Sequence, residues 1–377
     1  MSVQSLYQSK RMSAADAIQV LKDGDTIVVP TGVGEPPSLL TALSDARRNY
    51  RDIKVSQILP LRKYGYIDPE TTAHVRHSAY FFGGATRPGG QEGWIDFVPA
   101  YFSELPMLIK RGLTPSEVVF SMASPMDEHG FFSLSLAPDY TMAAIEKARA
   151  VVLEVNPNVP FANGDCHIHI SQVAALTESS DPLLEVGLPK IGPVQEAIGS
   201  YVAEMIPDGA TLQIGYGGIP DAVVMQLTNK HDLGIHTEMV GDGIMTLVEA
   251  GVVNNLKKNY HRGKMLATFA LGSKKLYDFM HRNPALEMHP VDFTNDPYLA
   301  GKNDNLHCIN ATMQIDFMGQ CGSESLGAKP YSGTGGQSDF VRAANRSNGG
   351  KAFIVLPSTA KNDTISRIVP TLNPGTH

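Results

Sequence analysis

Glu238 is the side chain best placed to do chemistry. It stands in Ile235-His236-Thr237-Glu238-Met239-Val240-Gly241-Asp242-Gly243, between helix-like segments at 221–229 and 244–250, so the stretch reads as a short strand and the loop leaving it. Ligands of an open α/β sheet gather outside the carboxyl ends of its strands. A lone glutamate is ordinarily a solvated surface charge; its company singles this one out. Upstream, Gly215-Tyr216-Gly217-Gly218-Ile219-Pro220 joins a strand to a helix, and its glycines and helix start offer backbone N–H donors to an anion or a developing oxyanion. Taken alone, that loop reads as readily as a tight turn. Downstream, Tyr331-Ser332-Gly333-Thr334-Gly335-Gly336-Gln337-Ser338-Asp339-Phe340 follows the same donor logic, with a helix expected from near Asp339, and Leu356-Pro357-Ser358-Thr359-Ala360-Lys361 sets a lysine after a strand. Together these groups describe an anion-holding site with a carboxylate as its reacting group.

Other chemistries fit less well. The glycine loop is neither GxGxxG nor a Walker A loop, and no GxSxG elbow occurs. In Cys166-His167-Ile168-His169, strand alternation puts the two histidines on one face and the cysteine on the other, with no partner ligands at metal-site spacing, so no metal is expected. A formal net charge of -7, with only isolated pairs such as Lys257-Lys258, argues against nucleic acid as a partner. Cys166, Cys308 and Cys321 form no CxxC and no even framework, which reads as reduced thiols. The start, MSVQSLYQSKRMSA, has no apolar core, and no segment reaches membrane-span length, so the expected setting is cytoplasmic, away from membranes.

The elements that position these groups repeat. Residues 13–22 have helical periodicity, followed by Asp23-Gly24-Asp25-Thr26-Ile27-Val28-Val29-Pro30, a Gly/Pro loop and a helix over 38–47. About 185 positions later, a helix over 194–205 leads into Pro207-Asp208-Gly209-Ala210-Thr211-Leu212-Gln213-Ile214 and the glycine loop. A second echo pairs residues 118–130 with 306–319, each a β-rich run ending in Asp-x-x-Gly. The fold class expected is two related open α/β domains, 1–190 and 191–377, joined through Leu188-Pro189-Lys190-Ile191-Gly192-Pro193, with an active-site cleft between them. Apolar runs at 150–155 and 352–356 read as central strands of mostly parallel sheets.

At this point a family resemblance is carried by Phe81-Phe82-Gly83-Gly84-Ala85-Thr86-Arg87, Phe102-Ser103-Glu104-Leu105-Pro106, Glu154-Val155-Asn156-Pro157-Asn158-Val159-Pro160, residues 213–220 and 236–243, Gly272-Ser273-Lys274-Lys275-Leu276-Tyr277-Asp278-Phe279, Phe293-Thr294-Asn295-Asp296-Pro297, Ile309-Asn310 and residues 335–340. In order and nearly end to end, these resemble the acetyl-CoA hydrolase/transferase family, in particular enzymes similar to 4-hydroxybutyrate CoA-transferase and butyryl-CoA:acetate CoA-transferase. The resemblance implies that Glu238 becomes a glutamyl-CoA thioester as CoA moves from a short-chain acyl-CoA to a carboxylate such as acetate. It implies that Gly215, Tyr216, Gly217, Gly218, Ile219, Gly336 and Lys361 bind coenzyme A, which enters as substrate rather than as a resident cofactor. Gln213 and Asn310 would serve the oxyanion, Arg87 would meet an anion, and the first domain would shape the acyl and carboxylate pocket. It further implies a homodimer or homotetramer.

Two departures stand out. Similar proteins continue some tens of residues beyond Ile365-Ser366-Arg367-Ile368-Val369-Pro370, so the second domain is expected to be shortened at its C-terminus; and Phe161 stands where a basic residue is usual, leaving the carboxylate preference open. If water reached the reacting centre the same residues would make an acyl-CoA hydrolase. A non-catalytic ligand-binding protein on the same scaffold would show no acyl exchange at all.

Overall fold

The computed structural model describes residues 2–187 and 190–377 and divides into two compact units. The first gathers residues up to Ala100, Glu104–Glu185 and Thr268–Asp292; the second gathers Tyr101–Ser103, Val186–Ala267 and Phe293–His377. The division by sequence at 190/191 thus differs at the boundary, which falls after Glu185, and in two further segments. Residues 268–292 pack with the first unit, where Leu286–Met288 pairs with Asn163–Gly164 and the Tyr277 hydroxyl donates to the Leu184 carbonyl at 2.9 Å. Residues 101–103 pack with the second. Of the expected connection at 188–193, Leu188 and Pro189 lie outside the described residues.

The first unit is built on seven strands: β1 (Thr26–Val28), β2 (Ile53–Ile58), β3 (Val75–Phe81), β4 (Asp96–Phe97), β5 (Val118–Ala123), β6 (Ala150–Val155) and β7 (Ala175–Glu178). Their order is β7-β6-β5-β1-β2-β3-β4, every neighbouring pair parallel. A parallel sheet is covered on both faces, which is why β5 and β6 read as unbroken apolar runs and are buried at every position. Helix α1 (Pro37–Ala46) lays Leu39, Leu40 and Leu43 on a core with Ile27, Val55 and Phe120. The buried Glu154 carboxylate accepts from Ser38 N (2.7 Å), Ser38 Oγ (3.0 Å) and Leu39 N (3.4 Å), occupying donors that the first turn of α1 leaves without helical partners.

The second unit repeats this plan with β8 (Thr211–Ile214), β9 (Gly234–Ile235), β10 (Leu306–Ala311) and β11 (Lys351–Val355), in the order β9-β8-β10-β11 and parallel throughout. It matches β2-β1-β5-β6 strand for strand, so the sequence repeat is a repeat of structure. Its turn is reproduced atom for atom. Gly24 (φ +84°) and Gly209 (φ +76°) both adopt the left-handed conformation; Gly24 N donates to Arg51 O and Gly209 N to His231 O. The preceding aspartates, Asp23 and Asp208, accept from Arg51 N at 2.8 Å and His231 N at 2.7 Å. One expectation is corrected: Lys351–Val355 is the edge strand of its sheet and mostly half-buried, not central. An apolar run by itself does not distinguish the two positions. Among the described residues, no helix is long and apolar enough to cross a membrane.

Candidate active site

The path of the chain brings Glu238 out at the carboxyl end of the second sheet. β9 runs in register with β8, Thr211 opposite Gly234 and Leu212 opposite Ile235, and His236 N extends the ladder by donating to Leu212 O at 3.0 Å. Thr237 then replaces the next ladder bonds with its side chain. Its hydroxyl donates to Ile214 O (3.2 Å) and accepts from Ile214 N (3.1 Å), and the chain leaves the sheet edge at Glu238. Met239–Val240 follows, then Gly241 and the helix Asp242–Glu249.

Glu238 as a whole is only partly buried, but its carboxyl group is enclosed by protein. Burial pushes its pKa up to about 7, the hydrogen bond from Asn295 pulls the other way, and the negative charge of Asp339 adds to the rise. Oε2 accepts from Asn295 Nδ2 at 2.7 Å. From the other side Gly336 closes in: a methyl group placed on its Cα would lie 1.8 Å from Glu238 Oε2 and 2.3 Å from Asn295 Nδ2. Only a hydrogen fits there.

Asn295 is itself held. His236 Nε2–H donates to Thr294 O (2.8 Å) while Nδ1 accepts from Asn303 Nδ2 (3.1 Å), a pattern that assigns the neutral Nε2–H tautomer. On the far side Asp296 caps the short helix Pro297–Ala300, accepting from Tyr298 N and Leu299 N. Asp339, buried in the helix Gln337–Arg346, accepts from Ser103 N at 3.1 Å and Ser103 Oγ at 2.8 Å, and Phe102 N donates to Gly335 O. Residues 102–103 therefore anchor the loop that carries Gly336.

The glycine loop leaves β8 as expected and starts the helix Gly218–Met225. Gly217 has φ +133°, and a Cβ on Gly215 would strike Ile309 O at 2.8 Å and Asn310 Oδ1 at 2.9 Å, so both positions require glycine. Ile219 is buried, whereas Tyr216 is 63% exposed. Gln213 and Asn310, on adjacent strands, form a reciprocal amide pair. Gln213 Nε2 donates to Asn310 Oδ1 (3.2 Å) and Asn310 Nδ2 to Gln213 Oε1 (2.9 Å). Asn310→Ala leaves both ends of the buried Gln213 amide without these partners, and thermal unfolding should register a loss of about 1–3 kcal/mol.

Of the residues singled out by sequence, the structure brings Gly336 against Glu238, Gly215 against Asn310, and Gln213 onto Asn310; Thr237 links Glu238 to this group through Ile214. Lys361 is exposed, with φ +50°, in the turn between Thr359–Ala360 and Ile365–Ser366. Arg87 begins the helix Arg87–Glu92 of the first unit. His167 and His169 are engaged locally, with Ala162 O and Ser171 Oγ, and Cys166 is buried. Asn295, Asn303, His236 and Asp339 were not assigned roles from sequence. The one signal was that Asn295, His236 and Asp339 fall inside matching motifs.

The site thus lies in the second of two repeated parallel α/β units, an enclosed carboxylate between an amide and a glycine loop. The sequence matches the acetyl-CoA hydrolase/transferase N-terminal domain over residues 1–186 and the C-terminal domain over 272–377. It is 50% identical over 374 residues to succinyl-CoA:cyclohexane-1-carboxylate CoA transferase of Geobacter metallireducens, covering 99% of this chain and 85% of that one. To 4-hydroxybutyrate coenzyme A transferase of Clostridium kluyveri it is 44% identical over 375 residues, covering 100% and 87%. The crystal structure of RipA from Yersinia pestis superposes with a TM-score of 0.95 at 34% identity, covering 100% of this chain and 89% of that one. The chain belongs to the acetyl-CoA hydrolase/transferase family.

Proposed function

We propose that this protein is an acyl-CoA:carboxylate CoA-transferase that moves CoA from a short-chain acyl-CoA, of butyryl or 4-hydroxybutyryl type, to a carboxylate such as acetate. The observation that carries this reading is Glu238, whose enclosed carboxyl has its pKa raised to about 7 and one oxygen held by Asn295. A carboxylate is a weak nucleophile, and a raised pKa makes it a better one that still ionises near neutral pH. Similarity to proteins named for CoA transfer to cyclohexane-1-carboxylate and to 4-hydroxybutyrate supports the same reaction class.

In the proposed cycle Glu238 attacks the acyl-CoA carbonyl and expels CoA thiolate, leaving an acyl-glutamyl anhydride. The thiolate attacks the glutamyl carbonyl, the acyl carboxylate departs, and Glu238 carries CoA as a thioester. An incoming carboxylate reverses the steps. One thioester is exchanged for another, so no ATP is consumed. The backbone of Gly215, Tyr216, Gly217, Gly218 and Ile219, with Gly336 and Lys361, would hold CoA; Gln213, Asn310 and Arg87 would serve developing oxyanions and the carboxylate. CoA is substrate here, and no resident cofactor is called for. The reading also assigns the protein to the cytoplasm as a homodimer or homotetramer.

Mixing the protein with butyryl-CoA and reducing with borohydride should modify only the peptide that contains Glu238, as read by mass spectrometry, and acetate added first should remove the adduct. Absence of any adduct with several short acyl-CoAs would overturn the reading. Thioester loss without acetate at the rate of transfer would make the protein a hydrolase.

A further inference from the structure

The strand that delivers Glu238, β9, is two residues long and lies at the edge of its sheet. Its inner side is held by β8: Gly234 N donates to Ala210 O at 2.9 Å and His236 N to Leu212 O at 3.0 Å. Its outer side presents the N–H and C=O of Ile235, and so short an edge frays unless both find partners. Two side chains of one loop supply them. Asn255, held at φ +61°, accepts from Ile235 N through Oδ1 at 2.9 Å, and Lys258 Nζ donates to Ile235 O at 2.8 Å. The same ammonium donates to Lys264 O at 2.6 Å, immediately before the strand Met265–Ala267. Two residues further along both chains the backbones pair directly, Thr237 N donating to Leu266 O at 3.0 Å. Glu238 comes next. Lys258 is thus unlike its neighbour in the sequence: Lys257 is exposed, whereas Lys258 is 3% exposed, and a lysine is rarely enclosed without fixed partners. Its stem runs against Gly234, where an added methyl would lie 2.6 Å from Lys258 Cγ and 2.9 Å from Cδ.

We infer that Lys258 is a positioning residue for Glu238: its ammonium clasps Ile235 O and Lys264 O where two chains converge, and so fixes the backbone from which the reacting carboxylate projects. This rests on the glutamyl-CoA reading above. No bond or proton changes at Lys258; it acts through Ile235 on one chain and through Leu266, on the other, which receives Thr237 N. A lysine suits the place because one ammonium carries several donors, and hydrogen bonds from a charged donor are roughly twice as strong as neutral ones. A full neighbouring strand is not needed, since Asn255 and Lys258 between them supply the acceptor and the donor that such a strand would bring to Ile235. The carboxylate they serve has little latitude, because Gly336 leaves room for only a hydrogen beside Oε2. Slack in the backbone at 235–237 is therefore passed directly to the reacting group, and a misplacement of about 1 Å costs about 10²-fold in rate.

The test uses the full-length protein and Lys258→Met, which keeps an unbranched stem and removes the ammonium. With saturating butyryl-CoA, borohydride trapping and mass spectrometry, the Glu238 adduct should form about 10²-fold more slowly in the variant. In steady-state exchange kcat and kcat/KM should fall together with KM for butyryl-CoA little changed, because the nucleophile is misplaced while the substrate is still bound. Hydrogen exchange should quicken in the peptide spanning 235–239 and stay as in the wild type in peptides of the first unit. A second variant displaces the stem without removing the ammonium. Gly234 is not left-handed, so Gly234→Ala adds only its methyl, against Lys258 and 3.3 Å from Thr211 Oγ1. It should slow adduct formation in the wild-type background and have little further effect in Lys258→Ala, where the stem is gone. A Lys258→Met enzyme that forms the adduct at the normal rate, that loses rate only through a raised KM, or that leaves exchange at 235–239 unchanged overturns the inference. If Lys258→Met does not fold, a normal adduct rate in Gly234→Ala overturns it by itself. A wild type that transfers CoA with no adduct on Glu238 removes instead the glutamyl reading, and this inference with it.

Discussion

Glu238→Gln should give a protein that is inert in acyl exchange yet more stable than the wild type at pH 8. Loss of the nucleophile is expected to lower exchange by on the order of 10⁴-fold or more. The stability effect follows from the raised pKa. Native Glu238 titrates at about 7 against an ordinary value of 4.5. Between those values the native state keeps a proton that the unfolded chain has released, so stability falls as pH rises through the window. Above pH 7 the native state carries a charge in an unfavourable place at a cost of at most about 3 kcal/mol, the equivalent of that shift. Glutamine carries no charge and still offers an oxygen to Asn295. Denaturant unfolding should therefore find the variant level with the wild type near pH 4.5 and ahead of it at pH 8. Equal pH dependence in the two proteins would mean that the carboxyl is solvated and not poised as a nucleophile.

The sequence pattern already contains the strands, the repeat and the two glycine loops, because each has a local physical cause. Asp23-Gly24 and Asp208-Gly209 announce turns that need a left-handed residue and a carboxylate acceptor, and both are found doing that. Gly215 and Gly217 are glycines for steric and backbone reasons that sequence can anticipate. The immediate surroundings of Glu238 were less legible because they come from elsewhere in the chain. Asn295 lies 57 residues away, and the polar contacts among His236, Asn303 and Thr294 leave no periodicity. Ser103 is 236 positions from Asp339, and nothing local to residues 101–103 says that they leave the first unit to brace a loop in the second. The expected start of the last helix near Asp339 was two residues late, since Gln337 opens it directly after Gly336. That small difference matters: it sets Gly336 at the N-cap, where the chain turns against the carboxylate.

Gly336→Ala should separate packing against Glu238 from every other reason for a glycine. The backbone there, φ −104° and ψ 5°, is open to alanine, so no left-handed strain is involved. The obstacle is the added methyl, 1.8 Å from Glu238 Oε2 and 2.3 Å from Asn295 Nδ2, well inside any contact distance. Relief requires the carboxyl, the amide or the loop to move by an ångström or more, and a misplacement of that size costs about 10²-fold in rate. Transfer should fall by at least that factor while the variant remains folded. The collision also predicts its own rescue. In a Glu238→Ala background the carboxyl is gone, and Gly336→Ala should destabilise the protein less than it does in the wild type, by an interaction of about 0.5–3 kcal/mol in a double-mutant cycle. Additive effects in that cycle, or a Gly336→Ala enzyme that forms the Glu238 adduct at the normal rate, would place the loop away from the carboxylate in solution.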